Sequence, residues 1–376
     1  MTLDRKRENY LSQFPSLAND RQHNTLLPAT QGIDADWLTR LLQPVYPGLV
    51  VEAMTINEVI GGRTTRIRAQ LVLNVAGRRA GVPEHICLKS NRSSLPLSGG
   101  SCMLEARFYR HIAHSTRMPT PAAAFAAWDE RESGEGLVIM EDLQQAAGTF
   151  GTRTAHLSVD EVAEALEDFA NLHASLWESP RLSRYEWLPV SMARNSVDVE
   201  QYAIGKSSIL RNIADPACAT LLPEWLVDNP ARLGHFYDRF VAQEQAVGGA
   251  PCLIHGDAHP GNSFVRNTGE RVWFDWQHVR KGHPWRDVAC LMIAALTVQD
   301  RRSAERHLLQ HYLGDLAARG IDGQLPFHML WDRYRRWPLW GMVSSLADAD
   351  GQSGPVCIQR FYQAAEDLET LALVQR

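Results

Sequence analysis

From Val50 onward the apolar positions of this chain follow the period of strands, and from about Ser158 the period of helices takes over. Ile67, Ala69, Leu71, Leu73 and Val75 alternate with Arg66, Arg68, Gln70, Val72 and Asn74, the pattern of a half-buried strand. A turn is expected around Gly77 and Gly81, then a strand from Glu84 to Ser90 in which Ile86 and Leu88 face opposite to Cys87 and Lys89. Ser101 to Ala113 has helical spacing, with Leu104, Phe108 and Ile112 on one stripe and Glu105 beside it. Gly136 to Met140 reads as a short buried strand ended by Glu141 and Asp142. Antiparallel, meander-like pairing is the economical arrangement.

Ser158 to Glu161 matches a capping box, after which Val162, Leu166, Phe169, His173 and Leu176 recur at spacings of three and four. Residues 190–248 are helical in parts, and further helices are expected at 287–299, 302–319, 326–348 and 356–373. Between these groups lie three short apolar segments, Cys252 to Ile254, Ser263 to Val265 and Val272 to Phe274. Asn267-Thr268-Gly269 supplies the turn between the last two. The reading is an α+β chain: an N-terminal arm (1–30), a small antiparallel β-rich lobe with one helix (31–147), and a mainly helical lobe (148–376).

Composition narrows the class. With 45% hydrophobic and 22% charged residues the chain is that of a soluble globular protein. A net charge of −5 argues against a general nucleic-acid binder, although local basic residues would suffice for a polyanionic small cofactor. The six cysteines are dispersed with no C-x-x-C pair, which points to free thiols in a reducing compartment. Residues 1–10 have no apolar core for a secretory signal, and no run approaches the roughly 18 apolar residues of a membrane span. A cytoplasmic enzyme is expected, with no nucleic acid, membrane or obligate protein partner.

The chemistry gathers between residues 254 and 276. A loop aspartate such as Asp257 can accept a proton from an attacking hydroxyl, and the amide oxygen of Asn262 can ligate a hard cation. Asp275 would supply the carboxylate that holds Mg²⁺ against phosphate oxygens. Taken singly, Asp257 and Asn262 also fit plain turn residues. Lys89 lies in a strand with apolar alternate residues, an expensive place for an ammonium unless paired, and Glu105 is its natural partner. Gly61-Gly62 with Thr64 and Thr65 could close over phosphates, although the same pattern fits a hairpin turn and no Walker loop occurs. His173, on an apolar stripe, reads as a core histidine, and Asp287 as a helix cap or an anchor for the loop. The alternation of His255, Asp257 and His259 leaves a metal hydrolase as an alternative, but Asn262 and Lys89 would then go unexplained.

The motif His255-Gly256-Asp257-x-His259-x-x-Asn262, followed by Asp275, resembles the aminoglycoside phosphotransferase and choline kinase superfamily, relatives of protein kinases that act on small molecules. The match runs from about Glu58 to Ala289. Leu104-Glu105-Ala106-Arg107-Phe108-Tyr109-Arg110, Met140-Glu141-Asp142-Leu143 and Asp275-Trp276-Gln277 look like the ecdysteroid-kinase-like branch. The resemblance implies a bilobal protein-kinase-like fold with ATP in the cleft. It implies Asp257 as catalytic base and Asn262 and Asp275 as magnesium ligands. It further implies Lys89 on the phosphates, oriented by Glu105, with the backbone of Glu141, Asp142 and Leu143 on the adenine. Asp275 is followed by Trp276-Gln277, and only Trp276 to Arg286 separates it from Asp287, too short for a phosphorylatable activation loop. A protein acceptor is therefore not expected.

The expected activity is transfer of the γ-phosphate of ATP to a hydroxyl of a small molecule. An antibiotic kinase and a nucleotide-binding pseudokinase scaffold are the alternatives. Aminoglycosides are polycations and call for an acidic pocket, whereas the segment from Trp331 to Trp340 is aromatic and basic. That favours a neutral or apolar acceptor, unless these tryptophans are helix-packing core.

Overall fold

A computed structural model describes residues 32–61, 64–90, 101–128, 135–194, 196–321, 323–348 and 354–376. The expected N-terminal arm (1–30) and Gly62 lie outside the described residues. The chain divides into two compact units, one running to Thr149 and including Phe264–His278, the other made of Phe150–Ser263 and Val279–Arg376. The architecture is α+β.

In the first unit, α1 (Ala35–Leu42) begins at Asp34, whose carboxylate accepts from the Trp37 amide at 2.7 Å and satisfies one orphan donor of the first turn. Then come β1 (Val51–Ile60), β2 (Thr65–Leu73), α2 (Val75–Arg79), β3 (His85–Ser90), α3 (Ser101–His111), β4 (Ala123–Trp128) and β5 (Gly136–Glu141). The strands form one antiparallel sheet in the order β1-β2-β3-β5-β4. Ile67, Ala69, Leu71 and Leu73 of β2 and Ile86 and Leu88 of β3 join Trp37, Leu38 and Leu42 of α1 in one buried cluster. The opposite face of β3 therefore carries Cys87 and Lys89, and α3 packs against β4 and β5. Gly136 permits that packing, because a Cβ there would lie 2.2 Å from the Cys102 backbone.

Two details differ from the sequence reading. Val75 opens a helix rather than ending the strand, because Asn74 caps it by accepting from the Gly77 amide at 2.9 Å. Strand β4 was not foreseen: Ala-Ala-Phe-Ala-Ala-Trp has little intrinsic strand preference and is held by pairing with β5.

The second unit begins with α4 (Val159–Ser175), entered through the expected capping box of Ser158 and Glu161. It continues with α5 (Val197–Ala214), α6 (Ala231–Val247) and β6 (Cys252–Ile254). Next come β7 (Ser263–Arg266) and β8 (Arg271–Trp273), joined by a tight turn in which Gly269 adopts φ +89° and its amide donates to Arg266 O at 2.8 Å. The sequence reading kept this hairpin with residues 148–376, but Phe264–His278 clusters with the first unit. The physical ties are the Trp273 amide on Pro119 O at 2.9 Å, Arg266 on Glu141 at 2.6 Å, and Trp276 stacked on Phe108 at 3.9 Å.

The chain returns to the second unit with β9 (Arg280–Gly282), antiparallel to β6, and α7 (Trp285–Ala295), which is buried throughout. It ends with α8 (Val298–Ala318), α9 (Phe327–Tyr334), α10 (Pro338–Leu346), α11 (Gly354–Asp367) and a last short turn of helix. The single helix expected over 326–348 is broken between α9 and α10, where Pro338 opens the second piece. Proline has no N–H to continue a helix but suits its first turn. No helix of the described residues is long and apolar enough to cross a membrane. None of the six cysteines forms a disulfide among the described residues.

Candidate active site

In the first unit β3 carries Lys89 into a buried position with α3 on its side of the sheet, and the strand and helix together place Glu105 within 2.7 Å of its ammonium. The expected pair is present, and a third member joins it: Asp275 Oδ1 stands 2.6 Å from the same nitrogen. Burial alone would pull the Lys89 ammonium down, but the Asp275 and Glu105 carboxylates outweigh it and raise it above its ordinary value. Glu105 also accepts from the Trp276 amide at 3.2 Å, so one carboxylate fixes both the lysine and the residue after Asp275. Asp275 itself has φ +66°, a left-handed conformation that aspartate tolerates better than most side chains, and its side chain is 27% exposed. Held there, it offers hard oxygen to the outside of an otherwise buried cluster.

The remaining residues expected on this unit fall in two places. Thr65 pairs with Ser90 at the start of β2, and Thr64 precedes it; both are half-buried. At the other end of β5 the Glu141 carboxylate accepts from the Ala122 amide at 2.8 Å and from Arg266. Asp142 receives Arg68 at 2.9 Å and caps the Gln144 amide at 3.1 Å. The amides of Glu141 and Asp142 donate to Ala122 O and His85 O. Both acidic side chains are thus spent on structure, and Leu143 opens the turn that follows.

In the second unit the loop after β6 is built around Asp287. This fully buried carboxylate accepts the His255 amide at 2.7 Å and the Gly256 amide at 2.9 Å, while His173 Nε2 lies 3.3 Å away. His173 Nδ1 is in turn 2.8 Å from the Tyr312 hydroxyl, which makes it the satisfied core histidine expected. Burial would push the Asp287 carboxyl up, but the bond and charge of His173, the nearby His255 and the Gly256 amide outweigh it and hold it below its usual range. Asp287 is therefore the loop's anchor and not a helix cap, since it sits inside the first turn of α7.

A second buried cluster supports the same loop. Arg286 donates to Gly256 O at 2.8 Å and pairs with Asp198 of α5 at 2.7 Å, and Arg280 also reaches Asp198. The two guanidiniums more than offset burial and keep Asp198 ionised. Sequence reasoning missed Asp198, because Arg280-Lys281-Gly282-His283-Pro284-Trp285-Arg286 is mostly polar and does not mark its two arginines as buried.

Asp257 emerges from this frame with its side chain 21% exposed. Asn262, on a short turn of helix begun by Pro260, donates through Nδ2 to Asp257 O at 2.9 Å and to Asp257 Oδ2 at 3.1 Å. With Nδ2 committed, the amide oxygen of Asn262 is the atom available as a ligand. His259 Nε2 lies 3.4 Å from the Asp257 carboxylate. Among the described residues no group of three or more His, Cys, Asp or Glu is arranged to hold a metal ion. A cavity of about 20 Å³ beside Asp257 is walled by Cys290, Ala294, Trp340, Cys357 and Phe361, with Arg153 and Ser344 at its polar edge. Of the tryptophans in 331–340, Trp337 is core and Trp340 reaches this cavity. Arg333, Arg335 and Arg336 are paired with Glu244, Glu369 and Asp332.

Comparison with solved structures returns kinase-like folds. A candidate aminoglycoside phosphotransferase from Ralstonia eutropha is 14% identical, with 90% of this chain and 97% of that one covered and a TM-score of 0.51. A spectinomycin phosphotransferase solved with ADP and spectinomycin is 14% identical (91% and 100% covered, TM-score 0.49). A choline kinase from Cryptosporidium parvum is 10% identical (86% and 89% covered, TM-score 0.49). At such identities the likeness is one of fold. No curated protein matches the chain by sequence. The sequence profile of the phosphotransferase enzyme family matches residues 79–321, a span that contains Lys89, Glu105, Asp257, Asn262 and Asp275. On that match, which covers well over half of its length, the chain belongs to the phosphotransferase enzyme family.

Proposed function

We propose that this protein transfers the γ-phosphoryl group of ATP to a hydroxyl of a small neutral or apolar molecule. The observation that carries the reading is the buried Lys89 held between Glu105 and Asp275, in a chain of the phosphotransferase family. A lysine fixed and kept charged in this way is suited to phosphate oxygens. The amide of Leu143, which none of the bonds around Glu141 and Asp142 engages, is the backbone group proposed to meet the adenine. Thr64 and Thr65, with Gly62 before them, are proposed to face the phosphates.

Asp257 is proposed as the base that takes the proton of the acceptor hydroxyl, with Asn262 orienting its carboxylate. The acceptor oxygen then bonds to the γ-phosphorus, the bond to the β-bridging oxygen breaks, and ADP leaves. Mg²⁺, for which the Asn262 amide oxygen and the Asp275 carboxylate are the proposed ligands, would neutralise charge on the phosphates; both are hard oxygen donors. The neutral or apolar acceptor is argued from the aromatic and basic segment Trp331 to Trp340, of which Trp340 lies beside Asp257.

The test is ATP consumption over a library of small alcohols, comparing the wild type with Asp257→Asn. The expected outcome is acceptor-dependent ADP release that falls about 10²- to 10⁴-fold in the variant, the range of a lost general base, at unchanged thermal stability. Equal turnover by the two proteins overturns the base assignment, and ATP binding without transfer to any alcohol overturns the activity.

A further inference from the structure

In the second unit the segment after Phe150 is strapped to the loop that carries Asp257. The Gly151 amide donates to Ser263 O at 2.9 Å, the Cys357 thiol to Arg153 O at 3.4 Å, and Arg360 to Ala155 O at 2.9 Å. The two backbones can touch because each carries a glycine at the contact. A Cβ on Gly151 would collide with Pro260 O, and one on Gly261 would lie 2.9 Å from the Arg153 amide nitrogen. Arg153 is thereby held beside Asp257, and both lie on the wall of the cavity of about 20 Å³.

Arg153 is half-buried, and among the described residues no carboxylate lies within ion-pair distance of its guanidinium. By contrast Arg280 and Arg286 are paired with Asp198, and Arg301 with Glu305. The charged end of Arg153 is felt at the cavity wall. Burial raises the Cys290 thiol most, and on that same thiol the Asp257 carboxylate acts upward and the Arg153 guanidinium downward. An arginine closed onto Asp257 would make it a weaker base. Standing off, it leaves the carboxylate free for a hydroxyl and keeps a charged fork of donors open for an anion.

We propose that Arg153 is a further catalytic residue, donating to the oxygens of the phosphoryl group during its transfer. The assignment rests on the phosphotransfer reading, with Asp257 as the base. The acceptor oxygen must come within hydrogen-bond reach of Asp257, about 3 Å, and the phosphorus within about 3–3.5 Å of that oxygen. The transferring group therefore passes within about 7 Å of the carboxylate, a span that a guanidinium on the same cavity wall can cover. Its planar fork of N–H donors matches the equatorial phosphoryl oxygens, over which charge is spread as the bonds change. Trp340, Phe361 and Ala294 on the adjoining walls lower the local polarity and strengthen that attraction.

The test compares the wild type with Arg153→Gln and Arg153→Lys in steady-state ADP release to a responsive alcohol. A second readout is the rise in thermal midpoint with Mg²⁺, ADP and aluminium fluoride, a mimic of the phosphoryl group in transfer. Arg153→Gln is expected to lower kcat about 10²-fold, the scale of one lost donor to a developing charge, with the acceptor KM unchanged. Arg153→Lys should recover part of that loss, since it restores the charge without the fork. The wild type should gain more from ADP with fluoride than from ADP alone, and Arg153→Gln should lose that excess while keeping the ADP shift. Lys206→Gln, an exposed lysine on α5, should match the wild type in both readouts. Equal kcat in the wild type and Arg153→Gln overturns the assignment. So does a raised acceptor KM at unchanged kcat, which would put the guanidinium on the acceptor. If no alcohol elicits turnover from the wild type, the phosphotransfer reading fails separately and the fluoride complex still decides. An excess lost in Arg153→Gln supports the placement, and an excess retained, or absent from the wild type, overturns it.

Discussion

Lys89 and Asp257 are placed by opposite means. Around Lys89 the charged groups proposed for chemistry are themselves the structural bonds: Glu105 and Asp275 hold the lysine, and Glu105 holds the chain beyond Asp275. Around Asp257 the two tasks are separated. The loop is fastened from beneath by Asp287, His173 and Arg286, none of which is exposed, and the Asp257 carboxylate meets Asn262 and His259 of its own loop. A substitution in the first cluster should therefore confound stability with activity. In the second unit the two should come apart according to which residue is changed.

The sharpest way to break this contrast is Asp287→Ala. It would leave the His255 and Gly256 amides and the Nε2 side of the buried His173 without this acceptor at once, at a cost of about 4 kcal/mol or more given 1–3 for each buried group left unpaired. A large fall in thermal midpoint with loss of activity is expected, whereas Asp257→Asn should leave the midpoint in place. Because the Asp287 carboxyl lies below its ordinary range, its contribution is fully present above that range and is lost as the pH falls through the lowered value. Acid unfolding of the wild type should show that loss, and Asp287→Asn should lack it.

Next in size is Lys89→Met, which leaves two carboxylates facing each other in a buried site and should cost about 3–5 kcal/mol. Adding Glu105→Gln should recover part of the stability and none of the activity. Chemical denaturation alongside ADP release separates the two readouts. Full recovery of activity in the double variant would show that the cluster serves structure alone.

The smallest effect belongs to His111 at the end of α3, which lies edge-on to Trp128. Burial, then the charges of Arg110, Arg107 and His114, takes its imidazole from 6.5 down to about 4. Between those values the unfolded chain binds a proton that the folded chain refuses, so stability is complete above pH 6.5 and declines as the pH falls toward about 4. Since the ring is only partly buried, a decline of about 1 kcal/mol is expected rather than the full linkage value. His111→Gln should flatten the denaturation midpoint across that window.

How much of this was legible in the sequence follows from the range of each interaction. Asp257 and Asn262 share one loop, and the capping box of α4 is local, so spacing alone exposed them. The pairing of Lys89 with Glu105 could be inferred because a strand and the next helix rarely leave an ammonium uncompensated. That Asp275 is the lysine's second partner could not, since 186 residues separate them. Nor could Asp198 be matched to Arg280 and Arg286, or Arg153 to the Asp257 cavity, because nothing in their local pattern differs from a solvated face. The split between α9 and α10 was written in Pro338, but continuous apolar periodicity outweighed it in the reading.

The left-handed backbone of Asp275 carries a consequence for how this position can vary. The backbone there favours glycine, asparagine or aspartate, while the lysine beside it calls for an anion. Only aspartate answers both demands. Glutamate keeps the charge but loses the short side chain that eases this conformation, and glycine or asparagine keeps the conformation but surrenders the charge. Asp275→Asn thus removes a charge from an undisturbed chain path, and Asp275→Glu disturbs the path while retaining the charge. The site offers a rare pair of substitutions in which electrostatics and backbone geometry can be varied one at a time.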